Sequence, residues 1–185
     1  LPYPNNPTGG IMERADLEAI AQVEGVEAVE PVYSVDMLGE AGDNQLALQV
    51  MSAPEKINLI TVREGRMPEN PGECLVDDRL LELGFLKVGD VITLKSDSEE
   101  DTEDLIRETE YTVVGSGISP LYLSLDRGTT KVGTGSLDGF LLLPAKSFAM
   151  DYYTQICVTA QGARELRSYT EEYDDFVDVL VERVE

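Results

Sequence analysis

The sequence predicts an α+β domain, on three observations. Short runs of alternating apolar and polar residues recur between turns rich in Gly and Pro, as half-buried strands require. Two stretches carry apolar residues three and four positions apart, the helical period. No segment repeats at a fixed interval, which excludes a solenoid. The 185 residues are 42 % apolar and 27 % charged. That is a globular composition, and a chain of this length buries about 70 % of the surface it exposes when unfolded.

Residues 1–12 hold Pro2, Pro4, Pro7, Gly9 and Gly10 and read as a linker. A short helix follows, with Asp16 as its cap, Leu17, Ile20 and Ala21 on one face, and Gly25 as its stop. Residues 26–38 read as an edge or bent strand, because Pro31 removes a ladder donor within an alternating run. A turn is expected over 39–44, and Leu46, Leu48 and Val50 mark the return strand of a hairpin. A second block opens near Ile60. It holds strands over 74–76, 91–94 and 111–114 and a helix over 77–83, capped near Asp77 and closed by Gly84. Val88-Gly89-Asp90 makes a turn, and residues 97–104 form a solvated acidic run. Residues 115–139 carry six glycines and Pro120 and read as one long irregular loop. A buried strand over 140–143, a helical turn over 145–148 and a strand over 153–160 come next. The final helix starts near Gly162, with Leu166, Tyr169, Tyr173, Phe176, Val177 and Leu180 as its apolar stripe.

The formal net charge is −22, from 36 acidic and 14 basic residues. Such a field repels phosphate backbones and argues against nucleic-acid binding, and it disfavours adsorption to anionic lipid. It reads first as a solubility device. The chain has no histidine, which removes the commonest general base, the Ser-His-Asp and Cys-His arrangements and most zinc sites. Cys74 and Cys157 lie in apolar, strand-like runs and read as small buried hydrophobes; the sequence leaves their pairing open. No run approaches the roughly 20 apolar residues needed to span a bilayer. Residues 1–10 carry no basic residue, so no signal peptide is recognised there. Lacking an initiator methionine, the sequence reads as a piece of a longer protein.

Gly128-Thr-Thr-Lys-Val-Gly133-Thr-Gly135 superficially suggests a phosphate loop, but Lys131 precedes Gly133 instead of following it, and no helix is expected next. Gly115-Ser-Gly117 follows a strand as a dinucleotide fingerprint would, yet Pro120 stands where a helix should open. The acidic run lacks the alternating ligands and central Gly of a calcium loop. Carboxylates are so numerous that no single pair is informative. No residue is assigned to catalysis, to a cofactor or to a metal.

Three ordered pieces carry a resemblance: Glu64-Gly65-Arg66-Met67-Pro68, then Gly72-Glu73-Cys74-Leu75-Val76, then residues 83–94 with Lys87-Val88-Gly89-Asp90 at their centre. They resemble the MacB-type core domain of FtsX-like ABC permeases, especially the large Gram-positive forms. Residues 20–31 look like that family's opening. Ser119-Pro120-Leu121-Tyr122, Asp126-Arg127-Gly128 and Gly133-Thr134-Gly135 look like the loop of the Gram-positive subgroup. Cys74 departs from the usual branched aliphatic residue, a packing-neutral change. Gly65, Arg66, Pro68, Gly72, Glu73, Gly89 and Asp90 form the structural motif, with Gly65 and Gly89 supplying turn geometry. Arg66 is expected to pair with a carboxylate such as Glu73 or Asp90.

The resemblance implies a two-lobed domain on the extracellular side of a cell membrane. Residues 13–60 and 145–185 would form an α/β, porter-like lobe, and 61–144 an inserted β-rich lobe. It implies attachment through flanking membrane helices, a cytoplasmic ABC ATPase as partner and room for a second permease copy. The domain would couple ATP-driven motions to an extracellular substrate or protein, by export or mechanotransmission, without bond chemistry. Two other readings are a secreted ligand-binding or adhesion module, with residues 115–139 as binding face, and a secreted carboxylate-based or metal-dependent hydrolase.

Overall fold

The computed structural model describes residues 14–184 except 99, 123, 125, 168 and 169. The linker expected at 1–12 and Tyr169 of the expected helical stripe lie outside the described residues. The elements in chain order are α1 (Arg14–Ile20), β1 (Val26–Val32), β2 (Ser34–Ala41), β3 (Asn44–Ser52), β4 (Thr61–Gly65), β5 (Glu73–Asp77), α2 (Asp78–Glu82), β6 (Val91–Lys95), α3 (Thr102–Leu105), β7 (Glu110–Ile118), β8 (Gly139–Leu143), β9 (Gln155–Ala160) and α4 (Glu171–Val184), with short 3-10 turns at Ala145–Ser147 and Ala163–Glu165. Strands dominate and helices are few.

The chain divides into two compact units. One takes residues up to 32 together with 55–57 and those from 152 onward; the other takes 33–54 and 58–151. The expected division placed residues 13–60 with the chain's end. The structure instead puts the β2–β3 hairpin in the second unit, because β3 pairs in parallel with β8 and β2 pairs with β6.

The second unit is a sheet in the order β4-β7-β5-β8-β3-β2-β6 with an additional β6–β7 pairing. That last ladder joins the two sides of the sheet and closes six strands into a ring. Alternate residues fill its interior: Leu46, Leu48 and Val50 of β3, Ile92 and Leu94 of β6, Tyr111 and Val113 of β7, all nearly or wholly inaccessible. Gly39 keeps this interior open, since a Cβ there would lie 2.8 Å from both Leu48 and Ile92. The β2–β3 turn is Gly42-Asp43, tighter than expected, with Gly42 at φ +57. β4 escaped the sequence reading because all five of its residues are exposed and carry no alternating pattern. β7 runs four residues beyond the expected strand, so Gly115 and Gly117 belong to the ladder and not to the loop.

In the first unit β1 and β9 form a two-stranded antiparallel sheet, which places Pro31 on an edge strand as its missing donor requires. The Glu30 carboxylate is 7 % exposed and accepts three backbone N–H groups, from Glu55 at 2.5 Å, Lys56 at 3.0 Å and Ile57 at 2.5 Å. This clasp is why a distant tripeptide belongs to the unit. Asp16 does not cap α1, which already includes Arg14. The terminal helix does not run from Gly162. A 3-10 turn comes first, and α4 begins only after Thr170, whose Oγ1 accepts the Tyr173 N–H at 3.3 Å. Tyr173, Phe176, Val177 and Leu180 are half-buried on its inner stripe; a Cβ on Gly25 would sit 3.5 Å from Leu180.

Candidate functional site

The motif residues converge on the edge of the second unit. Gly65 ends β4 at φ +69, and a Cβ there would fall 2.1 Å from the Val114 carbonyl oxygen. Arg66 N–H then donates to that same carbonyl at 3.0 Å. The Arg66 guanidinium forks onto Glu73, Nη1 to Oε2 at 2.8 Å and Nη2 to Oε1 at 2.6 Å, and also reaches the Met67 carbonyl at 3.0 Å. Glu73 Oε2 further accepts the Glu69 and Asn70 N–H groups at 3.0 and 3.1 Å. The Arg66 side chain beside it, with these amides, holds the Glu73 carboxyl far below the usual carboxylate range, while the same contact raises Arg66. Pro68 is buried inside the loop so formed. Gly72 has φ +76, and its carbonyl accepts the Thr112 N–H at 2.8 Å. Of the two partners weighed for Arg66, the structure selects Glu73. Asp90 instead accepts the Lys87 N–H at 2.9 Å and closes the turn through Gly89, φ +98.

A second cluster was not assigned from the sequence. The described residues of 119–138 lie as a strap over the outer side of β5, β8 and β3, with Tyr122 packed on Met51, Leu75 and Phe140 and Asp138 bonded to Ala47. Gly128 and Leu137 close on each other through the Leu137 N–H at 3.0 Å, with a bridge between Thr129 and Ser136. The expected irregular loop is therefore partly a hairpin, with Val132 and Leu137 buried. Arg127 grips Asp77 with Nε to Oδ2 at 2.6 Å and Nη2 to Oδ1 at 3.1 Å; the side chains are 10 % and 1 % exposed. Arg127 Cζ stands 5.1 Å from the centre of the Tyr122 ring, which stacks on Phe140 at 5.4 Å. Tyr122 OH donates to Gln49 Oε1. Burial, with the negative charges of Asp77 and Asp36, pushes the Tyr122 hydroxyl up to about 12. The available signal was an arginine inside a Gly-rich loop of a chain with only 14 basic residues.

The remaining candidates gather no chemistry. Asp43, Asn44, Phe85 and Asp90 border an open depression of about 480 Å³, where Asn44 Nδ2 donates to the Phe85 carbonyl at 3.4 Å. Among the described residues no three His, Cys, Asp or Glu side chains assemble a metal site. In the acidic run, α3 occupies the end, and Asp97 accepts the Gly133 N–H at 3.1 Å. Cys74 and Cys157 are both buried in strands, and burial pushes both thiols up. Such groups are inert toward attack. The segment 128–135 leads into β8 and not into a helix, against a phosphate loop. Among the described residues no helix is long and apolar enough to cross a membrane.

Residues 2–174 match the model of the MacB-like periplasmic core domain. No curated protein matches the chain. Among solved structures, the chain is similar to the extracellular domain of the noncanonic ABC-type transporter YknZ from Gram-positive bacteria, at TM-score 0.56 and 13 % identity, over 96 % of this chain and 87 % of that one. It is also similar to the periplasmic region of MacB from Actinobacillus actinomycetemcomitans, at TM-score 0.48 and 12 % identity over 94 % and 74 % of the two chains. The corresponding values for a domain of a permease-like protein from Porphyromonas gingivalis are 0.47, 14 %, 90 % and 75 %. The family is one of transporter-permease domains and not of enzymes, and it implies association with an ATPase subunit. The chain belongs to the MacB-like periplasmic core domain family, the extracytoplasmic part of ABC-type transporter permeases.

Proposed function

We propose that the chain couples ATP-driven motions of a permease's membrane helices to an extracellular substrate or partner protein, by export or by transmission of force, with no bond chemistry of its own. The observation that carries this reading is the family match across residues 2–174. The side-chain geometry agrees with it: Arg66, Arg127 and Lys146 each hold carboxylates or backbone carbonyls of the fold, at distances typical of charge-assisted bonds. In this reading the domain works as two lobes, one drawn from both chain ends and one inserted, and the division of the chain into two compact units supports it. A cytoplasmic ATPase supplies the motion through the rest of the permease, and a second permease copy completes the assembly.

The test uses the full permease with its ATPase in lipid nanodiscs. Spin labels at Asp43→Cys and Val179→Cys report on the second and first units; both positions are exposed, and the native cysteines are buried. The interlabel distance distribution is expected to shift between the nucleotide-free and the vanadate-trapped states. Steady ATP turnover with an unchanged distribution contradicts the proposal.

A further inference from the structure

The Asp77 side chain serves two elements at once. Its Oδ1 accepts the Arg79 N–H at 3.2 Å, capping α2, and the same oxygen accepts Arg127 Nη2 at 3.1 Å from the strap. The next residue, Asp78, accepts the Ser116 hydroxyl at 2.6 Å, and Ser116 lies in β7 just before the strap departs. The two halves of the strap are held differently. Its second half closes on itself and is riveted to β3, where Asp138 Oδ2 accepts the Ala47 N–H and Asp138 N–H donates to the Ala47 carbonyl, both at 2.8 Å. Its first half is held through the Arg127 pair and through Tyr122, which covers the apolar face of Met51, Leu75, Phe140 and Leu142.

From this sharing we propose that the first half of the strap and helix α2 act as one latch, with the Asp77–Arg127 pair as its pin and Asp138 as its fixed end. Releasing Arg127 leaves a carboxylate that is 1 % exposed without its cation, so Asp77 turns outward, the α2 cap is lost in the same event and the apolar face under Tyr122 is uncovered. The coupling follows from one oxygen atom having two donors, and it stands whether or not the transport reading does.

Native-state hydrogen exchange on the whole 185-residue chain tests the latch. In Arg127→Gln, the amides of Arg79, Leu83 and Phe85 in and after α2 are expected to exchange about tenfold faster or more, together with Tyr122 and Gly128 of the strap, while the β3–β8 ladder keeps its protection. Acceleration confined to the strap, or spread evenly over the barrel, overturns the latch. Should Arg127→Gln fail to fold, Tyr122→Leu leaves the ion pair in place and removes the ring beneath the guanidinium. The latch then requires a smaller rise, again shared between strap and α2, and a rise in the strap alone overturns it.

Discussion

Three charged side chains each fasten parts of a single unit, Arg66 and Arg127 in the second and Glu30 in the first, and they differ in how far the sequence disclosed them. Arg66 was legible: a Gly-Arg-x-Pro turn followed by an acidic strand start pointed to a carboxylate partner such as Glu73 or Asp90. Glu73 accepts five hydrogen bonds from Arg66, Glu69 and Asn70, whereas Asp90 is taken up by its own turn. The folded state holds the Glu73 carboxyl below its ordinary value of 4.5, so the folded chain binds that proton less readily than the unfolded one. Its stabilisation is complete above the ordinary value and is lost as acid brings the pH down toward the folded one. Glu73→Gln is expected to melt lower than wild type at neutral pH, and the gap to narrow between about pH 5 and pH 3, as read by circular dichroism. Glu30 was invisible in the sequence, because the three amides it accepts lie 25 to 27 residues away and meet it only in the fold. Glu30→Ala strands those donors and is expected to cost about 3 kcal/mol in urea titration. Arg127→Met takes the cation from Asp77, so the strap and α2 are expected to open locally under hydrogen exchange while the global denaturant midpoint moves little.

Elements whose signals are local were read closely. Helix α2 begins after Asp77 and closes near Gly84, φ +76, as its cap and stop residues dictate. Elements defined by a neighbour were not. Gly115 and Gly117 look like loop residues, yet they lie inside β7, where β4 approaches too closely for a side chain. A Cβ on Gly115 would lie 2.4 Å from the Arg66 carbonyl oxygen, and one on Gly117 2.6 Å from Ile60. Gly115→Ala is therefore expected to destabilise by about 1–3 kcal/mol through backbone displacement. Gly42→Ala provides the contrast, because its Cβ meets nothing within 4 Å and the residue suffers only its φ of +57. Its cost should be about 1 kcal/mol, and denaturant midpoints of the two variants distinguish steric from conformational need.

At the scale of the molecule, the α+β class and the run of strands were legible from periodicity, while the closure of the barrel was not. β3 and β8 pair in parallel across some ninety residues, and β6 meets β7 after an intervening helix. Neither pairing leaves a mark in local sequence, and the resemblance implied an inserted β-rich lobe without its strand order. The net charge of −22 is a property of the whole surface, and it repels itself. Raising salt from about 10 mM to 150 mM shortens the Debye length from about 30 Å to 8 Å and is expected to raise the melting temperature. The central claim is that this chain is the extracytoplasmic part of a membrane permease. The most direct test labels intact cells that make the full permease with a membrane-impermeant maleimide, using Asp43→Cys at the exposed hairpin tip. The buried Cys74 and Cys157 should keep the background low. The account predicts labelling before lysis at the level reached after it; labelling that appears only once the membrane is broken would contradict it.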